Sequence, residues 1–250
     1  MGIPQLYTKT SYSLLNSTLT IKEYVEAAKK RGYSAIAITD ENVLYGAVEF
    51  FQACKAQEIL GIIGLELDFA LAEETAKLLF YAKDVAGYQE LMRLSSERMM
   101  AEKPLLLSDY QLQTEKLVIV LPVDGLEDHR DAAIAEVLKE TPKEFYLGIS
   151  PNSDTSDLTT QLPRIAIQQV AYLEADQAFS IKVMQHIQNG TQLPKDELSN
   201  LLGENYLLDS QVLAGSFQNE TEAVKNAEAI IEKCQFELPL HQKLLPHYPV

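Results

Sequence analysis

The sequence predicts an α/β fold in which a mostly parallel sheet closes, or nearly closes, into a barrel. An open sheet sandwiched between helices is the second reading. Three observations carry this. Short apolar runs of strand length recur along the 250 residues. They alternate with segments whose apolar residues repeat at helical spacing. Six or seven such units fit in the chain, and continuous apolar strands joined by helices imply a sheet covered on its outside.

The elements follow in chain order. Leu6-Tyr-Thr8 is a short strand candidate. Thr20-x-x-Glu23 resembles a capping box, in which hydroxyl and carboxylate satisfy free N–H groups at a helix start. Ile21, Tyr24, Val25 and Ala28 then recur at helical spacing, and Gly32 suits the left-handed position that ends a helix. Ser34–Thr39 is a compact apolar strand. A helix over about 46–57 leads to the strand Gly61–Glu66. Lys77–Ala82 reads as a strand, Val85–Ser95 as a helix, Leu117–Leu121 as a strand and Asp131–Lys139 as a helix. Glu144–Ile149 and Ile165–Leu173 are later strands, with polar Pro151–Thr160 as a loop between them. Asp176–Gln188 and Glu220–Cys234 are helices. Residues 1–237 read as one domain. Leu238–Val250, with Pro239, Pro246 and Pro249, reads as an extended linker, so the chain is expected to belong to something longer.

Composition excludes several classes. Hydrophobic residues make up 46% and charged residues 23%, ordinary globular values that exclude intrinsic disorder. Acidic residues outnumber basic ones 36 to 21, a net charge of −15. Such a surface repels phosphate backbones, which argues against strong nucleic-acid binding by this chain and against an anionic membrane surface. Cys54 and Cys234 are too few for a disulfide framework and read as small buried apolar residues. Apolar stretches such as Ile59–Leu65 fall far short of the roughly 18–20 residues of a membrane span, and a cytoplasmic protein is expected.

In parallel α/β folds, chemistry gathers at the C-terminal ends of strands. Asp40 and Glu41 follow one predicted strand, and Glu66 lies near the end of the next. Carboxylates so placed could hold a divalent cation through oxygen. They could equally be solvated loop residues or helix caps. The four histidines, His129, His186, His241 and His247, show no metal-ligand spacing. There is no phosphate loop and no Gly-x-Ser-x-Gly elbow. Cys54 sits mid-helix on a face that reads as buried, a poor place for a nucleophile.

Several blocks carry a family resemblance: Tyr12–Ser17, Ala37–Asp40, Leu44–Phe50, Ala53–Lys55, Ile62–Gly64, Gly87–Leu91, Glu222–Val224, Ile231–Cys234 and Leu245–Pro249. In this order they resemble the opening of bacterial DNA polymerase III alpha subunits, in the shorter type of low-GC Gram-positive bacteria. That region is the N-terminal polymerase-and-histidinol-phosphatase (PHP) domain. The resemblance implies a distorted seven-unit β/α barrel with a metal cluster at its strand ends that can hydrolyse phosphoesters. This chain departs at nearly every ligand position. Tyr7 and Lys9 stand where His-x-His is usual, and Asp40-Glu41 replaces Asp-His. Glu66 matches the family glutamate. Lys77 replaces a histidine, Gly148 an acidic residue, and Gln169 and Ala171 a closing Asp-x-His.

A protonated lysine has three donors and no lone pair, so it cannot ligate a metal, and alanine and glycine have no ligating side chain. No catalytic residue, resident metal or other cofactor is therefore expected. The alternative is one Mg2+ or Mn2+ at Asp40 and Glu66, serving a residual phosphoesterase such as a 3′–5′ exonuclease or pyrophosphatase. Lys9 and Lys77 are expected near the missing cation charge. They either pair with Asp40 or Glu66, or point to water. By the same resemblance, the whole subunit extends DNA with residues outside this chain. This domain would then be a scaffold for the remainder of the polymerase chain and for other replisome proteins.

Overall fold

The computed structural model describes residues 2–71, 74–126, 130–140, 145–154, 161–194 and 201–240. His129, Glu144, His241 and His247 lie outside them, as do residues 155–160 of the predicted loop and 241–250 of the predicted linker. Among the described residues there are eight strands: β1 (Tyr7–Thr8), β2 (Ala35–Ile38), β3 (Leu60–Leu71), β4 (Glu74–Ala82), β5 (Leu117–Pro122), β6 (Phe145–Ile149), β7 (Arg164–Ala166) and β8 (Gln169–Val170). The helices are α1 (Ile21–Lys30), α2 (Ala47–Ala56), α3 (Val85–Met100), α4 (Arg130–Glu140), α5 (Ala178–Asn189), α6 (Ser210–Ser216) and α7 (Thr221–Lys233).

Helix α1 shows how the sequence sets its own limits. Thr20 accepts the N–H of Glu23, as predicted for the cap, but the Glu23 carboxylate takes the Thr20 hydroxyl rather than a backbone N–H. Gly32 holds φ at +80°, where a side chain would strain the backbone. Between these limits Ile21, Tyr24, Val25 and Ala28 form the buried face. The Tyr24 ring stacks on Phe50 of α2 with centroids 6.3 Å apart. Its hydroxyl accepts from Thr8 and donates to the Ala37 carbonyl, which ties the helix to two strands.

Strands β2 to β7 form one sheet in sequence order, and β1 pairs with β8. Two joins make the ring continuous. A parallel bridge from Gln5 to Ile36 and the bond from Thr39 N–H to the Thr8 carbonyl attach β1 to β2. β7 pairs with β6, and two residues later β8 pairs with β1, so one strand path serves both edges. The predicted single strand Ile165–Leu173 is split at Ile167–Gln168 by this change of partner. The Gln5 side chain donates to the Tyr7 carbonyl two residues along its own segment and, across the seam, to the Gln168 carbonyl. Residues of β2, β5 and β6 are buried on both faces almost throughout, as a helix-covered sheet requires.

The expectation of a mostly parallel ring needs one correction. β4 runs antiparallel to both β3 and β5, while the other pairings are parallel. β3 is also longer than predicted, and Glu66 falls in its interior rather than at its end. The chain stays docked past residue 237: Leu238 is buried in the main core and Leu240 packs against it. Among the described residues, no helix is long and apolar enough to cross a membrane.

Candidate site at the barrel mouth

The parallel strands deliver their C-terminal ends to one face. Tyr7 ends its side chain there, Lys9 follows β1, and Asp40 and Glu41 follow β2. β4 reaches the same face from the opposite direction, so the mouth receives its first residues. Glu66 stands opposite Leu79 and Asp68 opposite Lys77. Glu66 and Lys77 are therefore diagonal neighbours on one side of the hairpin, within reach of long side chains.

These placements build a compact charge network. Lys9 Nζ lies 2.9 Å from Glu66 Oε1 and 3.1 Å from Glu41 Oε2. Lys77 Nζ lies 2.8 Å from the same Glu66 oxygen and 3.5 Å from the same Glu41 oxygen. Tyr7 donates its hydroxyl to the other Glu66 oxygen at 2.5 Å. Asn16 Nδ2 adds a 3.2 Å bond to Glu41 Oε2. Glu66 is 0% exposed and Lys9 4%, while Lys77 is the half-open member of the set. Two ammonium groups thus face two carboxylates, and the four charges cancel.

Asp40 stands apart from both lysines. It accepts the Thr10 N–H at 2.6 Å, the Thr10 hydroxyl at 2.7 Å and the Ser13 hydroxyl at 2.7 Å. Of the two pairings expected for the lysines, the one with Glu66 forms and the one with Asp40 does not. The reason is geometric, because the loop after β1 folds its neutral donors over Asp40. Ser13 also accepts the Glu41 N–H, so this one hydroxyl sets both acidic residues. No sequence motif marks Thr10, Ser13 or Asn16 individually. Ser13 and Asn16 do lie within the Tyr12–Ser17 block that carries the resemblance.

Proton affinities follow from these surroundings. Burial raises the Asp40 carboxyl above the usual range, outweighing its hydroxyl and amide donors. For Glu41, burial pushes upward too, but the charges of Lys9 and Lys77 prevail and the group is lowered. Burial pulls Lys77 down, yet Glu66 and Glu41 together hold it above the ordinary lysine range. Burial and the Glu66 charge keep the Tyr7 phenol protonated far beyond neutrality.

The remaining predicted positions are not brought into the network. Gln169 pairs with Tyr7 across β1–β8 and borders a cleft of about 870 Å³ at the mouth. Ala171 is buried, and its carbonyl accepts the Ser17 hydroxyl. At Gly148, a Cβ would meet Ile167 Cδ1 at 2.5 Å and Val120 Cγ1 at 2.8 Å. Apolar side chains thus occupy the space a larger residue would need. Among the described residues, no group of three or more His, Cys, Asp or Glu is arranged to hold a metal ion. Cys54 is buried in α2, its thiol pushed up to about 12 by burial, and His186 lies in the last turn of α5, where its Nδ1 pairs with the Thr191 hydroxyl.

The family description "PHP domain" fits residues 5–175. This chain belongs to the PHP domain family. DNA polymerase III subunit alpha of Staphylococcus epidermidis is 30% identical over 246 residues, covering 98% of this chain and 22% of that protein. The Streptococcus pyogenes protein of the same name is 26% identical over the same length and coverage. The chain therefore spans about a fifth of the length of these relatives. Among solved structures, a candidate metal-dependent phosphoesterase from Bifidobacterium adolescentis has a TM-score of 0.41 and 12% identity, covering 84% of this chain and 93% of that one. An amidohydrolase from Chromobacterium violaceum has a TM-score of 0.38 and 11% identity, covering 85% and 96%. Both scores are low, and the family assignment rests on the match over residues 5–175.

Proposed function

We propose that this chain is the PHP domain of an alpha-subunit-type replicative DNA polymerase, and that the domain serves it as architecture. The observation that carries this reading is the pair of ammonium groups on one oxygen of a fully buried glutamate, at 2.9 and 2.8 Å. In that arrangement lysines supply the positive charge that a carboxylate-lined mouth would otherwise draw from metal. The donor set does not fit a hydrolytic cluster. Among the described residues it offers no imidazole, its central carboxylate is engaged on both oxygens, and its charges already cancel. No residue is assigned a catalytic role. DNA extension and its metal-binding carboxylates would belong to the remainder of the polymerase, in the cytoplasm, with other replisome proteins as further partners. A net charge of −15 suits a domain turned away from the template.

The alternative, a residual phosphoesterase holding one Mg2+ or Mn2+ at Asp40 and Glu66, is separated by one experiment. The protein is incubated with Mg2+, Mn2+ or Zn2+ and a phosphodiester substrate or 3′-ended single-stranded DNA, and its melting is followed in parallel. The expected result is no metal-dependent release and an unchanged melting temperature. Turnover abolished by Asp40→Ala, or a melting temperature raised by the metal, would overturn the architectural reading.

A further inference from the structure

The charge network occupies one arc of the mouth, on residues from β1 to β4. The facing arc has a different chemistry. It is built by Asp124 after β5, by the turn Ser150–Ser153 after β6, and by residues 204–206, which run alongside the end of β8. The Ala171 N–H donates to the Asn205 carbonyl at 2.9 Å, and Tyr172 bridges in parallel to Tyr206, so that segment is fixed to the barrel. Both arcs line the same cleft of about 870 Å³, an ordinary volume for a small-molecule site.

The donors of this second arc are spent within it. The Ser153 hydroxyl donates to Asp124 Oδ1 at 2.5 Å, and the Asn152 amide to Glu204 Oε2 at 2.8 Å. The Gln168 amide gives its N–H groups to the carbonyls of Glu204 and Tyr206, at 3.3 and 3.2 Å. Acceptors are what remain: the second oxygens of Asp124 and Glu204, and the side-chain carbonyls of Asn152 and Gln168. Gln168 carries most weight. It is 8% exposed, its bonds hold the amide at the cleft wall, and its Oε1 has no hydrogen-bond partner among the described residues. A buried acceptor without a donor is costly, so a ligand that donates to it is favoured.

The charges point the same way. Lys9 and Lys77 also line the cleft, but Glu41 and Glu66 balance them. Among the described residues, Asp124 and Glu204 have no ion-pair partner, and they leave the cleft negative. A phosphoester would meet two unpaired carboxylates there and is disfavoured. An alkylammonium has three donors, no acceptor and the complementary charge.

We infer that this cleft binds an aliphatic polyamine, with its ammonium groups on Asp124, Glu204 and Gln168 Oε1. Several ammonium groups on one flexible chain match acceptors spread over separate elements of the rim. This binding does not depend on the polymerase assignment, since it uses only the cleft of this chain.

Calorimetric titration of the protein with spermidine, in about 150 mM salt to screen diffuse attraction, tests the assignment. One saturable site is expected. Asp124→Asn with Glu204→Gln should weaken it at least about tenfold, the loss of charged hydrogen bonds. Glu222→Gln with Glu232→Gln, both exposed on α7, removes the same charge and should change affinity by less than about twofold. Gln168→Leu keeps the net charge and should weaken binding about fivefold. Melting of each variant without spermidine shows whether it is folded. Absence of saturable binding overturns the assignment. Equal losses in the two charge-matched pairs would attribute the heat to the acidic surface as a whole and overturn it too. Tighter binding of inorganic phosphate than of spermidine would give the cleft to anions, with the same consequence.

Discussion

Replacing Lys9 by methionine removes one charge from the network while keeping most of the side-chain volume. Lys9 is 4% exposed and its ammonium lies 2.9 Å from Glu66, which is wholly buried. Removing one partner of a buried pair costs about 3–5 kcal/mol, because a charge is left uncompensated. Lys77 and Tyr7 still hold Glu66, so the lower end, about 3 kcal/mol, is expected. A chain of this size loses about 2–4 °C of melting temperature per kcal/mol, giving a fall of roughly 6–12 °C. An exposed lysine such as Lys22 should change stability by about 0.5 kcal/mol or less. The assay is calorimetric melting at neutral pH, repeated in a Glu66→Gln background. There the cost of Lys9→Met should shrink by at least about 1 kcal/mol through coupling. A fall of under about 2 °C, or full additivity of the two substitutions, refutes the reasoning.

Further outcomes follow from the same geometry. Tyr7→Phe strips the hydroxyl from Glu66 Oε2 and should cost about 2 kcal/mol in urea unfolding, the usual value of a bond to a charged group. The double substitution Lys9→Met with Lys77→Met leaves Glu41 and Glu66 facing one vacated spot, so Mn2+ should raise its melting temperature while leaving the unsubstituted protein unchanged. Acid titration should separate two opposite contributions. Lowered Glu41 lends stability that is present above its unfolded pKa and is lost as pH falls through its depressed folded value, and Glu41→Gln should remove that loss. Raised Asp40 binds its proton more tightly in the folded state. Its contribution therefore declines as pH rises from the unfolded pKa to the raised one, and Asp40→Asn should flatten that decline in denaturant midpoints measured from pH 3 to 8. Gly148→Asp should destabilise by about 1–3 kcal/mol or more, since Ile167 and Val120 must move, and chaperone-free refolding yield would report it.

Much of the fold was legible because local chemistry and burial agree. The Thr20 cap, the Ile21–Ala28 face and Gly32 specify α1 without help from the rest of the chain. The reversal of β4 was not legible, because Leu71-Ala72-Glu73-Glu74 contains none of the glycine, proline or asparagine that usually announces a hairpin. That one omission had consequences at the site. From sequence alone Glu66 reads as lying near a strand end and Lys77 as either pairing or facing solvent, whereas the antiparallel register puts Glu66 inside β3 and Lys77 diagonal to it. The break at Ile167–Gln168 was hidden by an apolar pattern that runs on through both halves. Asp40 was found as a candidate, but its three neutral donors depend on the path of a loop that periodicity does not describe.

The charge network also has an order of assembly written into it. Its members, Tyr7 to Lys77, all come from the first third of the polypeptide, and the β3–β4 hairpin joins two of them through neighbouring sequence. The ring is shut by a seam whose residues Gln5 and Gln168 are 163 positions apart. Contacts that remote form late, since they must first bring distant chain ends together. Oppositely charged side chains can therefore meet while water still surrounds them and be dried only when the last strand arrives. The costly removal of solvent is then imposed on ions that already have partners.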